Sequence, residues 1–179
     1  MSLITLTDYF ALHGEPRGES RATLMVNATE LLHRVNELLD LSAVDAVVPT
    51  VDEVAHGFVA SGYRPAGVNA GTANAAAASR HLTCLAVDLR DARPNRPLAA
   101  WCITHQSLLE RVGLWMEDPR WCWRNMDGTP TADGELPNGH PWVHLQSVAP
   151  GSGRRVYVPS PAAPTDPYFF ARSGLTGFA

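Results

Sequence analysis

Cysteine is scarce: Cys84, Cys102 and Cys122 are the three in 179 residues, and no two form a C-x-x-C pair. An odd, scattered set excludes a disulfide framework and a cysteine zinc cluster, and reads as three reduced, mostly buried thiols. Charge is also sparse, at 18% of residues, with no basic excess: the net charge is -4 and the pI is near 5.9. That balance argues against nucleic acid or an anionic membrane as the main partner, since both are polyanions. No run is long and apolar enough to span a bilayer, so no membrane insertion is expected. The opening MSLITLTDYF lacks the basic region, apolar stretch and small-residue cleavage site of a secretory signal. Internal repeats are lacking too.

What is present is enough apolar material for one sizeable core, 45% of 179 residues. The expectation is a single domain over residues 1–179, with a proline-rich extension from about residue 159. From Ser20 to Asp40, Leu24, Ala28, Leu31, Val35 and Leu38 recur at spacings of four and three, which predicts an amphipathic helix with Ser20 as N-cap and His33 on its solvated side. DAVVPTVDE is a connector broken by Pro49, and Phe58, Val59 and Ala60 form a short strand. AGVNAGTANAAAAS reads as a long loop leading to Ser79. A second helix is expected over Leu98–Val112, with Trp101, Leu108, Leu109 and Val112 inward. A loop anchored by Trp115, Trp121 and Trp123 follows, then the strand PWVHLQ and the edge strand RRVYVPS. The fold class expected is α+β, a small antiparallel sheet with helices packed on one side.

One aspartate stands out. Asp88 closes SRHLTCLAVDL inside an apolar run, where a buried charge is costly without a strong partner. His81 lies seven residues earlier. On a helix the two would sit about 10.5 Å apart along the axis, too far for metal–ligand bonds of about 2.0–2.2 Å. If Leu85 to Leu89 is instead a strand, Leu85, Val87 and Leu89 face one way and Ala86 and Asp88 the other. The same alternation in PWVHLQ sends Val143 and Leu145 to the core, and Trp142, His144 and Gln146 to the opposite face. Neighbouring strands would then present Asp88 and His144 from one surface, with His81 folded over them. That would make two histidines and a carboxylate with an open fourth position for water, which is how catalytic zinc sites are built.

These pieces stand in a characteristic order. SGYRP, then Ser79-x-His81 leading to Ala86-x-Asp88, then WVH ending at His144, resembles the M15 family of zinc peptidases, the D-alanyl-D-alanine carboxypeptidases and phage endolysins. The resemblance runs from about the Ser20 helix to RRVYVPS. It implies a Hedgehog/DD-peptidase-like fold, Zn2+ held by His81, Asp88 and His144, and Arg64 as the arginine that steadies the substrate carbonyl. Ser79 reads equally as a loop cap and as a contact to substrate.

Two positions depart from the family pattern. The glycine of S-x-H-x-x-G-x-A-x-D is Cys84 here, so the turn must be made without glycine's freedom at positive φ; Cys84 itself reads as a packing residue. Where many members carry Glu or Asp three residues before the last histidine, this chain has Pro141, which takes no proton. His140 is the candidate general base, against the reading of a solvated loop residue, with Glu135 and Asp133 as further candidates.

The resemblance implies hydrolysis of peptide bonds in bacterial peptidoglycan, the stem peptide being the partner. With no signal peptide, a chain synthesised in the cytoplasm would reach the wall as a phage lysis or particle protein or as an exported effector. The competing reading is a catalytically impaired, zinc-containing cell-wall-binding or phage structural module. Pro141 favours it; Arg64 speaks against it, because a purely structural site has no use for an oxyanion partner.

Overall fold

The computed structural model of the protein describes residues 4–45, 47, 57–72, 75–91, 97–122 and 142–158. The proline-rich segment from 159, and His140, Pro141, Glu135, Asp133 and Trp123, lie outside the described residues.

The expected long helix is α2, Arg21–Ala43, running past Asp40. All five stripe residues are buried, and Leu32 and Leu39 widen the stripe. His33 is exposed. Ser20 holds the N-cap position, but its backbone is already αR and its hydroxyl makes no capping bond. Ahead of it lies a short helix that periodicity did not announce, α1, Leu6–Phe10. Thr5 and Asp8 start it as a capping box: the Asp8 N–H donates to Thr5 Oγ1 at 3.3 Å and the Thr5 N–H to Asp8 Oδ2 at 2.8 Å. The Asn36 amide of α2 ties the segment down, accepting from the Ile4 N–H and donating to the Ile4 carbonyl, both at 2.9 Å.

The sheet has five strands: β1 Val59–Ser61, β2 Ala86–Arg90, β3 Trp115–Glu117, β4 Trp142–Gln146 and β5 Val156–Tyr157, in the order β1-β2-β4-β3-β5. The class is α+β, but the sheet is mixed rather than wholly antiparallel. β2 and β3 take both edges of β4, so the chain that reverses after β4 docks on the free edge of β3, where its direction matches. RRVYVPS thus supplies an edge strand, parallel to its neighbour. Trp115 belongs to a strand and not to a loop; it is half-buried, with the Arg155 guanidinium 4.2 Å above its ring.

The alternation of β2 and β4 holds. Val87, Leu89, Val143 and Leu145, with Met116 of β3, share one core with Leu31, Val35 and Leu38 of α2. The opposite face carries a polar row: Ser61 pairs with Asp88, and Asp88 with His144.

Two other expectations are corrected. The small-residue segment after Pro65 is helical at its start, α3, Ala66–Gly71, with Pro65 just ahead of the first turn and the Asn69 N–H closing that turn on the Pro65 carbonyl at 2.8 Å. The helix expected over Leu98–Val112 is two, α4 Pro97–Thr104 and α5 Gln106–Arg111. They break at His105, with φ -120° and ψ 42°, where the imidazole stacks on Trp101 at 4.5 Å and its Nδ1 lies 2.9 Å from the Trp101 carbonyl. A last short helix, α6, spans Pro119–Cys122.

Candidate metal centre

His81 arrives on a single 3-10 turn, Arg80–Thr83. Ser79 is its N-cap, with Oγ accepting the His81 N–H at 3.4 Å. The turn ends at Cys84 in the left-handed conformation, φ 56° and ψ 32°. This is the position where the resemblance called for glycine, and the backbone has kept glycine's conformation without glycine. A side chain there costs roughly 1–3 kcal/mol, which the surrounding packing must offset. The Cys84 thiol is fully buried, and burial pushes its pKa up to about 11, so it stays a neutral packing group.

The reversal at Cys84 brings His81 back over Asp88. Its Nε2 lies 3.3 Å from Asp88 Oδ2, while its Nδ1 sits 2.7 Å from the Gly62 carbonyl. A carbonyl only accepts, so Nδ1 carries the proton and the Nε2 lone pair faces a carboxylate oxygen. Lone pairs that face each other require a cation between them, a proton or a metal ion. From the neighbouring strand His144 places Nδ1 2.7 Å from Asp88 Oδ1, and the two imidazoles meet edge to face at 5.2 Å. One donor atom each from His81, Asp88 and His144 lies within 4.8 Å of the others, and among the described residues this is the cluster of three or more such side chains that could hold a metal ion. Two imidazole nitrogens and one carboxylate fit a divalent transition metal.

Burial alone would raise the Asp88 pKa, but the two histidines override it and hold the carboxyl well below the usual range. Burial likewise lowers the His144 pKa, yet the hydrogen bond and charge of Asp88, with Glu117 adding to them, hold the imidazole above its ordinary value. In the metal-free protein, the stabilisation from a raised histidine is complete below about pH 6.5 and fades as pH rises through its folded value. That from a depressed aspartate is complete above about pH 3.9 and is lost as pH falls. A metal must displace the His144 proton. The melting-temperature gain on adding a metal should therefore grow from pH 5.5 to pH 7.5; a gain that is flat or falls with pH would remove His144 from the ligand set.

Arg64 is held at the rim of this cluster. Its N–H donates to the His81 carbonyl at 3.2 Å, and its Nη2 lies 3.2 Å from Ser61 Oγ and 3.5 Å from Asp88 Oδ2. Sequence reasoning missed Glu117. Trp115 pairs with Gln146 and Met116 with Leu145, Glu117 follows them and pairs on its other side with Tyr157, and its charge helps hold the His144 imidazole above its ordinary value. Alternation in W-M-E was the available signal, too short to stand out between Gly113 and Pro119. Gly62 and Tyr9 were missed as well; only the T-x-x-D capping box hinted at the helix that carries Tyr9. Compared with protein-family models, curated proteins and solved structures, the chain matches none.

Proposed function

We propose that the protein is a zinc-dependent peptidase that hydrolyses peptide bonds of bacterial peptidoglycan, of the D-alanyl-D-alanine carboxypeptidase or endopeptidase type, on a Hedgehog/DD-peptidase-like fold. The observation that carries this reading is the meeting of His81, Asp88 and His144 on one sheet face, with the Arg64 guanidinium against the same carboxylate. His81 through Nε2, Asp88 through its carboxylate and His144 through Nδ1 would hold the ion. Bound zinc supplies a Lewis acid that polarises a carbonyl and makes water a nucleophile near neutral pH.

The chain's own groups do the rest. Gly62 fixes the His81 tautomer that leaves Nε2 free to coordinate. Arg64 offers fixed N–H donors to the oxygen on which negative charge develops as the peptide carbonyl becomes tetrahedral. A proton acceptor must take the water's proton and return it to the leaving amine. His140 is proposed for this from the sequence, and Glu117, whose charge acts on His144, is the further acid proposed from β3.

The deciding assay incubates the protein, loaded with one equivalent of zinc, with purified peptidoglycan and with a D-alanyl-D-alanine-ended stem peptide. The expected result is released D-alanine or newly cut muropeptides, abolished by chelation and restored by zinc. No product from any wall chemotype would leave the zinc-containing binding or phage structural module as the function. Arg64→Ala should lower kcat about 10²-fold with zinc content unchanged; an unchanged kcat would reduce Arg64 to a clamp on Asp88.

A further inference from the structure

The metal donors are held from behind by a residue outside the motif. Tyr9 of α1 is almost fully buried, at 1% exposure. Its hydroxyl donates to the Ala86 carbonyl at 2.9 Å, at the start of the strand that carries Asp88 two residues on. The same side chain meets the Cys84 thiol in the left-handed turn between His81 and Asp88. Its backbone carbonyl and ring press on Gly62 so closely that a Cβ at residue 62 would lie 2.0 Å from Tyr9 O and 2.8 Å from Tyr9 Cδ2. Gly62 is the residue whose carbonyl accepts the hydrogen bond from His81 Nδ1–H. One side chain and its backbone therefore touch the support of His81, the turn after it and the strand of Asp88.

We infer that Tyr9 is a positioning residue of the metal centre, and that docking of the amino-terminal segment through Asn36 sets the separation of His81 from Asp88. This rests on the metal-centre reading above. A buried tyrosine hydroxyl has to find a hydrogen-bond partner, and this one finds it on the backbone that leads into the strand of Asp88. Gly62 is fixed by the same contact, because any side chain there would meet Tyr9 backbone rather than a movable side-chain end. Groups that orient metal ligands typically cost 10–100-fold in metal affinity when removed.

The test uses the whole chain with Zn2+ and Co2+ as probes. Tyr9→Phe keeps the ring and removes the hydroxyl. It should weaken zinc binding by about 10-fold or more in chelator competition at fixed pH, and should shift the visible absorption bands of the Co2+-loaded protein, which report ligand geometry and not global stability. Asn36→Ala cuts both bonds to Ile4 and loosens the docking of the segment while leaving the Tyr9 side chain itself intact, and should move both readouts the same way. Wild-type zinc affinity and an unshifted cobalt spectrum in Tyr9→Phe, even with a lowered melting temperature, would overturn the inference and leave Tyr9 a packing residue. If Tyr9→Phe does not fold, Asn36→Ala decides by the same two readouts. A wild-type protein that takes up neither ion would defeat the metal-centre reading itself, which separates the two failures.

Discussion

Replacing His144 should empty the site. Wild-type protein is expected to carry about one zinc per chain, and His144→Ala to carry almost none, because two remaining donors hold zinc poorly where three held it well. Peptide-bond cleavage should fall below detection with the metal. The same substitution takes away the 2.7 Å partner of a buried carboxylate. Breaking a buried pair from one side costs about 3–5 kcal/mol, so His144→Ala should also melt earlier without metal. His144→Gln separates the two effects: its amide can still donate to Asp88 Oδ1 while lacking an imidazole nitrogen for the ion. Elemental analysis beside circular dichroism reads both variants. Zinc fully retained in either would sink the ligand assignment, since no other histidine or cysteine among the described residues joins the cluster.

The second large effect concerns the proton. If Pro141 stands where the M15 resemblance would put an acid, His140→Ala should keep its zinc and lose roughly 10²–10⁴-fold in rate. The wild-type rate should then fall as pH drops through a histidine value near 6.5. Glu117→Gln is the paired variant. If the carboxylate on β3 takes the proton instead, the loss appears in Glu117→Gln and the acid limb of the pH profile lies lower. Full activity in both variants would pass the role to Glu135 or Asp133. Zinc content measured on the same samples keeps a lost proton acceptor apart from a lost metal.

What could be read in the chain depended on how many residues repeated a pattern. α2 repeats its stripe over 23 residues, and its start was legible to the residue while its end lies three residues past the expected Asp40. β2 and β4 alternate over five residues each and put Asp88 and His144 on one face. β3 has three residues and β5 two, too few for alternation to show, and their parallel pairing is a matter of which sheet edge was still open. The break at His105 depends on an imidazole stacked on Trp101, a tertiary contact that helical spacing does not encode. Cys84 was legible as a difficulty: a residue that needed glycine's backbone and was not glycine, and it is the one non-glycine residue with positive φ among those described. Tyr9 and Gly62 were not, because their importance lies in contacts 77 and 19 residues away along the chain.

The polar row on the sheet runs across the strands, and so it gathers residues that the chain keeps far apart. Asp88 and His144 face each other over a separation of 56 residues. Closing so long a loop is an entropic cost met before any strand pairing rewards it, and folds dominated by such pairings reach the native state slowly. The turn at Cys84 brings His81 to Asp88 within seven residues of chain, but His144 reaches Asp88 only when β4 has paired with β2. The donors therefore become a site when the central strands meet and not before. An ion bound there secures the finished sheet against unfolding but gives little help in building it, which sets this chain apart from small metal-nucleated domains whose ligands lie close together in sequence.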